Sequence, residues 1–284
     1  MRLGLHVGIR QGPLAALRRA EALGLEVLQM LSYRRRPGTG GDFRWEAPDP
    51  VEAAAFRAAR AASAVGRLVI HVRYLPFLAS SDAVRREASV DLLERELRFA
   101  ALLGGDELIL HLGAFSPGSS AVEGTRLFAD GVAQAWARAG GGPRLVIENV
   151  PGGGRRMGGS LEEVAELRLQ LAGRGLDCAV CLDTAHAWAA GYDMASAAGM
   201  DDFLNRAAAA FGAAAVMAFH LNDSRAERGS HREHHEHWGE GLLGGEGLGC
   251  LLRRRDFSHA SGVLETPPGK DETNLDYVRA RLPT

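Results

Sequence analysis

The chain has 284 residues, of which 46% are hydrophobic, and this length suits one α/β barrel, which typically needs about 250 residues. It contains no run of about 18 apolar residues and no apolar signal-peptide core at the N-terminus, so we expect neither a membrane span nor export. The formal net charge of −2 argues against a protein that holds nucleic acid by bulk positive charge, but it leaves room for a local basic face.

Short apolar segments, several of them rich in Val and Ile, recur along the chain and are typical of buried parallel strands. In chain order they are Leu3–Val7, Glu26–Leu31, Leu68–Val72, Leu108–Leu112, Leu145–Val150, Cys178–Leu182, Ala215–Leu221 and Gly262–Leu264. Stretches of helical composition lie between them, among them Leu14–Leu23 and Ala83–Leu103. Ser160 and Glu163 have the spacing of a capping box and predict the start of another helix.

The alternation of strands and helices predicts an α/β fold, a (β/α)8 TIM barrel that forms a single domain over residues 1–284. We expect Gly38–Gly41 and Gly152–Gly154 to be loops, and Ser224–Gly247 to be a long excursion after the seventh strand. A doubly wound open sheet stays possible from alternation alone. No Gly-x-Gly-x-x-Gly follows the first strand, which weakens a dinucleotide-binding version of it.

The cysteines indicate a reducing environment. They are an odd number, and Cys178 and Cys181 lie together in an apolar segment. We therefore expect buried free thiols and a cytoplasmic protein. A redox or zinc pair is the weaker alternative, because the chain has no second pair of cysteines.

The residues that end the predicted strands are chemically unusual. Six consecutive strands end in a residue that can bind a metal ion, namely His71, His111, Glu148, Asp183, His220 and Glu265. In a closed parallel barrel these ends converge on one face, where catalytic residues lie. Carboxylates crowded there would repel one another and lose hydration unless cations were bound. Histidine and carboxylate without cysteine suit zinc, with manganese or iron as the second choice.

Further candidate ligands lie close to this set. His186 follows Asp183 by three residues, and Glu233 and His235 form a compact pair in the excursion. Nine candidates are too many for one ion and about right for three. His6, at the end of the first strand, is left open between support of the ligands and core packing. The other histidines are expected to be loop or surface residues: His231, His234, His237 and His259.

Several longer segments form an ordered set: His71-Val-Arg-Tyr-Leu75, Ile147-Glu-Asn149, Asp183–Asp193, His220–Ser224, Gly239-Glu-Gly241 and Leu264–Pro267. In order and spacing they resemble the signature blocks of the endonuclease IV family of AP endonucleases. The resemblance covers the chain from His71 to Asn274, and residues 1–60 resemble the family only loosely. The Asp183–Asp193 and His220–Ser224 blocks are the most specific.

The resemblance implies a trinuclear zinc enzyme that hydrolyses the phosphodiester 5′ to an abasic site in duplex DNA and leaves a 3′-hydroxyl. The implied ligands form three groups: His71, His111 and Glu148; Glu148, Asp183, His220 and Glu265; and His186, Glu233 and His235. Glu148 would bridge two ions, and Glu148 and Glu265 are the expected catalytic residues. Ions of this kind activate water, so no Ser or Cys nucleophile is needed.

The sequence departs from the family in the loops. Glu233 stands where the family usually has Asp, and His234 where it usually has Arg. Leu112 and Gly113 replace the usual Pro-Gly after His111. The third ligand group is therefore the part of the carried-over site that the sequence supports least.

The resemblance also implies DNA contacts. Tyr74 and Leu75 match the loop that the family places against the distorted duplex at the abasic gap, where an aromatic ring can replace lost stacking. Packing at the barrel rim is the alternative role for both residues. Arg34, Arg35 and Arg36 follow the second strand and are candidate phosphate contacts, with a solvated charge run as the alternative.

The glycine-rich segment after the fifth strand is a weaker candidate. Gly152–Gly154 with Arg155 and Arg156 either cradles a phosphate or forms a flexible loop.

Two other functions remain open from the sequence. A sugar isomerase or epimerase on the same barrel also uses strand-end carboxylates, histidine and a divalent metal. Many such sites have a lysine near the substrate, but the only lysine here, Lys270, lies beyond the eighth strand. A non-catalytic, metal-dependent binder of damaged DNA is the third possibility.

The expected partner is duplex DNA that contains abasic sites, bound by a monomer.

Overall fold

Eight parallel strands close into a barrel in the computed structural model, which describes residues 1–37, 43–73, 75 and 77–283. The elements in chain order are β1 (Arg2–His6), α1 (Pro13–Ala22), β2 (Val27–Met30), β3 (Arg34–Pro37), β4 (Phe43–Glu46), α2 (Pro50–Ala61), β5 (Arg67–His71), α3 (Ala83–Leu103), β6 (Glu107–His111), α4 (Ala121–Ala139), β7 (Arg144–Glu148), α5 (Leu161–Ala172), β8 (Cys178–Asp183), α6 (Thr184–Ala190), α7 (Ala197–Phe211), β9 (Val216–His220), β10 (Asp223–Ser224), β11 (His235–Glu236), α8 (Glu246–Arg253), β12 (Ser261–Leu264) and α9 (Asp271–Arg279).

The order of strands around the barrel is β1-β12-β9-β8-β7-β6-β5-β2, and β2 pairs with β1 to close it. Every pair in this ring is parallel. The closure confirms the predicted single-domain (β/α)8 TIM barrel and excludes the open sheet. No helix of the described residues is long and apolar enough to cross a membrane.

The strands separate two apolar layers. One cluster takes residues from seven strands and fills the barrel interior: Val27, Val69, Ile109, Val146, Ala179, Cys181, Ala218 and Val263. Residues of the opposite parity, such as Leu28, Leu68 and Leu108, join the larger core between the barrel and its helices. Because both faces of each strand are buried, the strand sequences are apolar throughout. Cys178 and Cys181 are buried free thiols, as expected.

Helix boundaries follow local capping chemistry. The Asp82 carboxylate accepts hydrogen bonds from the amides of Val84 and Arg85 at the start of α3, and the helix ends at Gly104 in the left-handed region. The predicted capping box is confirmed at α5, where Ser160 and Glu163 bind each other's backbone amides.

Two short antiparallel ladders were not predicted. β3 pairs with β4 just after the second barrel strand, and β10 pairs with β11 inside the predicted excursion after the seventh. The second ladder places Ser224 opposite His235, and it thereby brings one end of the excursion back to the barrel. The predicted loop at Gly38–Gly41 lies outside the described residues.

Candidate metal centre

The candidate ligands share one position relative to the barrel core. Each lies two residues beyond an inward-facing core residue, and side chains two residues apart on a strand point to the same face. The pairs are Val69 and His71, Ile109 and His111, Val146 and Glu148, Cys181 and Asp183, Ala218 and His220, and Val263 and Glu265. The strands therefore deliver six candidate ligands into one layer directly above the apolar interior.

His71, His111 and Glu148 form the first group, with ligand atoms that all lie within 4.8 Å of one another. The Nε2 atoms of His71 and His111 lie 3.3 and 3.1 Å from Glu148 Oε2. This group coincides with one ligand set implied by the sequence.

Glu148, Asp183, His220 and Glu265 form a second group within the same limit. His220 Nδ1 lies 2.9 Å from Glu148 Oε1 and 3.2 Å from Glu265 Oε2. The two oxygens of the fully buried Glu148 thus face different groups, Oε2 the first and Oε1 the second. A carboxylate in this position can bridge two cations.

The third group is Asp183, His186 and His235. Glu233 is close but peripheral: its Oε2 lies 3.7 Å from His186 Nε2, and 52% of its side chain is exposed. The sequence assigned Glu233 to this group and Asp183 only to the second. The structure places Asp183 between the two, because Asp183 is the N-cap of α6 and the first helical turn brings His186 over the strand end.

The histidine rings are oriented by backbone carbonyls. Nδ1–H of His71 donates to the carbonyl of Val72 at 2.8 Å, and that of His186 donates to Asn149 at 2.9 Å. His235 Nδ1–H donates to the carbonyl of Glu265 at 3.2 Å. A carbonyl can only accept, so in each ring Nδ1 carries a proton, and Nε2 is the nitrogen that could bind a metal ion once its own proton is lost. This is the usual arrangement around metal-binding histidines.

Two of these Nε2 atoms are buried without a hydrogen-bond partner in the described part of the chain, which tests whether the residues present fit a metal ion. Nε2 of His186 and Nε2 of His235 are buried, and neither has a hydrogen-bond partner among the described residues. Buried polar atoms without partners are costly in native proteins. A divalent cation would satisfy both nitrogens, so the residues present fit a bound metal.

The electrostatics of the cluster agree with this conclusion. Burial would raise the pKa of Glu148, but His220 and His111 hold it well below its usual value. Burial likewise opposes ionisation of Glu265, yet His220 and His71 lower its pKa to about 2. Carboxylates that stay ionised at zero or low exposure need positive charge beside them, which protons on histidine or a metal ion can supply.

Gln29 is a site residue that the sequence analysis missed. It is fully buried on β2, its Nε2 donates to Glu265 Oε1 at 2.5 Å, and its Oε1 accepts from His220 Nε2 at 2.9 Å. The Nε2 atom of Gln29 also lies 3.1 Å from His6 Nδ1. A lone amide inside the apolar segment Val27–Met30, two residues after Val27, was the signal that could have found it.

His6 belongs to this supporting layer. Its Nδ1 lies 3.6 Å from Glu265 Oε1, and burial lowers its pKa to about 4. A neutral ring beside Glu265 and Gln29 supports the ligands and is not part of any of the three groups. The question left open by the sequence is therefore answered in favour of support.

The structure places the predicted DNA-contact residues in different surroundings. Leu75 is 3% exposed and packs in the core, as in the rim-packing alternative. Arg34 is mostly buried and ion-pairs with Glu46 and Glu52, so its guanidinium is engaged within the protein instead of presented to phosphates. Arg35 and Arg36 lie on β3, and their side chains, like the whole of Tyr74, are outside the described residues.

The remaining histidines are loop or surface residues, in agreement with the sequence. His231, His234 and His259 are exposed. His237 is partly buried, and its Nδ1 lies 3.0 Å from Asn274 Nδ2, so that this nitrogen is turned toward α9.

Asp223 fixes the C-terminal part of the excursion, the segment Ser224–Gly247. Its buried carboxylate accepts hydrogen bonds from the amides of Gly239, Gly241 and Leu243, at 3.0, 3.2 and 2.9 Å. A Cβ at Gly241 would lie only 2.4 Å from Asp223 Oδ1, so the turn can wrap this carboxylate only with glycine there. The anchor fixes the chain just after β11, which carries His235.

Comparisons with known proteins agree with this geometry. The family model described as xylose isomerase-like TIM barrel matches residues 17–281. A relative from Solibacter usitatus named probable endonuclease 4 is 37% identical over 99% of this chain and 96% of its own length. Endonuclease 4 from Thermus thermophilus is 38% identical over 99% and 98%. The crystal structure of endonuclease IV from a second strain of Thermus thermophilus has a TM-score of 0.84 and 34% identity, with 99% of this chain and 98% of that chain covered.

The Asp223 anchor generates a prediction. Asp223→Ala leaves three backbone amides without their acceptor, of which that of Leu243 is buried, so we expect the free energy of unfolding to fall by roughly 2–4 kcal/mol. Hydrogen exchange should accelerate at Gly239, Gly241 and Leu243. Asp202→Ala, at an exposed position of α7, is the matched control and should change stability by less than about 0.5 kcal/mol. Unchanged exchange at these three amides would show that the turn does not depend on Asp223.

Proposed function

Because the chain belongs to the endonuclease IV family of xylose isomerase-like TIM barrels, we propose that it hydrolyses the phosphodiester 5′ to abasic sites in duplex DNA. The product would carry a 3′-hydroxyl. The observation that best supports this function is that three of the five candidate ligand groups among the described residues are linked through Glu148 and Asp183. Linked cation sites suit phosphodiester hydrolysis, in which attacking and leaving oxygens both need stabilisation.

The proposed cofactor is zinc, three ions per chain, with Mn²⁺ or Fe²⁺ as the second choice. The proposed ligands are those that the sequence implied, with Asp183 serving the second and third ions together. Divalent ions held there would activate water at neutral pH and neutralise charge on the phosphate. The nine ligands are His71, His111, Glu148, Asp183, His186, His220, Glu233, His235 and Glu265.

The chain's own groups have distinct parts in this proposal. Glu148 directs one oxygen to each of two groups and sets their separation. Gln29 holds His220 and Glu265 in register through hydrogen bonds of 2.9 and 2.5 Å. The cavity above them has a volume of about 550 Å³, enough to admit a sugar–phosphate unit of an opened backbone.

Sugar isomerisation is the less supported alternative. Lys270 is exposed, pairs with Glu240 at 2.5 Å, and is not among the described residues that line the cavity. The cavity therefore has none of the lysine chemistry that many such enzymes use.

We further propose that residues 1–284 act as one domain, as a monomer in the cytoplasm, where Cys178 and Cys181 would stay reduced.

The proposed activity is tested with duplex DNA that carries one abasic analogue. We expect the purified protein to cut it once, on the 5′ side, and a chelator to abolish cutting. Glu148→Gln should reduce cleavage by at least about 10³-fold, because an amide cannot present two anionic oxygens to two cations. Intact abasic duplex together with efficient turnover of a ketose or aldose would favour the sugar enzyme instead.

Metal content gives an independent measurement. We expect close to three divalent ions per chain, mainly zinc, after purification without chelators. Elemental analysis should find a lower content in His186→Ala, which removes one of the two unpartnered nitrogens, and an unchanged content in His259→Ala at the surface. One ion or none per wild-type chain would contradict the trinuclear proposal.

Glu233 generates a further prediction, because the family usually has Asp there. Its carboxylate is exposed and lies beside His186, which lowers the pKa of Glu233 to about 2. We expect Glu233→Ala to lower occupancy of the third site and to slow cleavage by roughly 10–100-fold. Glu233→Asp should remain active, since it keeps the carboxylate.

His237→Ala is the control for this series. Its Nδ1 is turned toward Asn274, so the substitution should leave metal content and cleavage within about twofold of wild type. If Glu233→Ala is silent and His237→Ala strips the third ion, the loop binds metal through a different residue.

A further inference from the structure

Two arginines line the cavity above the candidate ligands, Arg73 after β5 and Arg156 after β7. Their surroundings differ. Arg73 has a buried carboxylate beside it, with its Nε 3.8 Å from Glu96 Oε1, and its guanidinium lies over the ring of Tyr33. Arg156 is exposed and has no ion-pair partner among the described residues. Among the described residues, therefore, no carboxylate pairs with its positive charge at the cavity mouth.

The backbone at Arg156 is fixed by the neighbouring loop. Arg156 forms an antiparallel bridge with Ala114, which follows β6, and the amide of Met157 donates to the carbonyl of Gly113 at 3.1 Å. The amide of Arg156 also donates to the carbonyl of Gly153 at 3.2 Å. The loops after β6 and β7 thus form one wall, and the flexible-loop alternative for this segment does not describe it.

The side chain of Arg156 is fixed by the excursion. Its Nη2 donates to the carbonyl of His231 at 2.7 Å. His231 is itself held: its amide donates to Ala189 at 2.9 Å, and its Nδ1 donates to the carbonyl of Pro151 at 2.7 Å. His231 has φ of 57°, in the left-handed region that is uncommon for residues other than glycine, although His adopts it more often than most.

Gly153 makes this contact possible. It has φ of 84°, and a Cβ on it would lie 2.7 Å from the Cβ of His231. The close approach of the two loops sets the position of the carbonyl that receives Arg156. A long, otherwise mobile side chain is in this way oriented at the cavity mouth before any ligand arrives, which lowers the entropic cost of binding.

We infer that Arg156 binds a backbone phosphate of the DNA, one next to the phosphodiester that is cut. This inference rests on the proposed function and assigns a residue to its substrate binding. A guanidinium has five N–H donors, so one can remain on His231 while others bind a phosphate as a fork. The chain carries a net charge of −2, so affinity for DNA depends on local cations of this kind.

Arg155 is a matched control. It is the neighbouring residue, is equally exposed, and donates from Nε to the carbonyl of Phe115 at 3.1 Å. It is not among the described residues that line the cavity. Arg155→Gln and Arg156→Gln therefore remove the same charge from adjacent positions, and only the second removes it from the cavity.

The first experiment compares the two variants with metal-loaded wild type on the abasic duplex. For Arg156→Gln we expect KM to rise about tenfold with kcat within about threefold, since a flanking contact contributes to ground state and transition state alike. The slope of log affinity against log salt concentration should decrease by about 1. Arg155→Gln should change KM by less than about threefold. Equal effects of the two variants would overturn the inference in favour of general electrostatic attraction.

The second experiment locates the phosphate. Single uncharged methylphosphonates are placed in turn at each linkage near the abasic site. One position should weaken wild-type binding about tenfold and weaken Arg156→Gln by less than about twofold, because the partner of that phosphate is already absent. Additive losses at every position would overturn the assignment. Wild-type protein that neither binds nor cuts abasic DNA would refute the proposed function, and the inference with it.

Discussion

The structure depends on the two-residue period of side chains in a closed parallel barrel. Residues of one parity fill the interior with Val, Ile and Ala, and the next residue of that parity on each strand reaches the open end. On six consecutive barrel strands this next residue is His, Glu or Asp. A shift of one residue in any strand would turn its ligand to the helix side, so the packing of the interior sets the geometry of the site.

The same arrangement concentrates charge where a protein tolerates it least. Glu148, Asp183 and His220 are fully buried, and isolated ionised groups in such a place are strongly unfavourable. Within the chain, histidines and carboxylates offset one another, with His220 at 2.9 Å from Glu148. Two buried nitrogens, Nε2 of His186 and Nε2 of His235, remain without a hydrogen-bond partner among the described residues. The layer is thus less stable than an apolar layer would be, and a cation bound there would remove that deficit and would supply the proposed chemistry.

The sequence predicted the parts of this site that local periodicity determines. Strand ends and the capping box at Ser160 follow from patterns along single elements. The grouping of the candidate ligands was implied by the family resemblance, and two of the implied groups lie close together in the structure. It did not predict contacts that depend on where distant elements meet. Gln29 reaches His220 across 191 positions of sequence, and Arg34 meets Glu52 only because β3 folds back toward α2. Asp183 joins the third group through the geometry of a strand-to-helix turn, which residue types alone do not encode.

The candidate ligands are held with unequal rigidity, and this follows from which element carries them. His71, His111 and Glu148 stand on strands whose ladders and packing leave little freedom. His235 depends on a two-residue ladder and on the turn that Asp223 holds. Glu233 lies on the exposed run between His231 and that ladder, with neither strand pairing nor core packing of its own. A ligand on a loop can shift by a methylene where one on a strand cannot, so under the proposed assignment the longer side chain of Glu233 stands at the position that can absorb it.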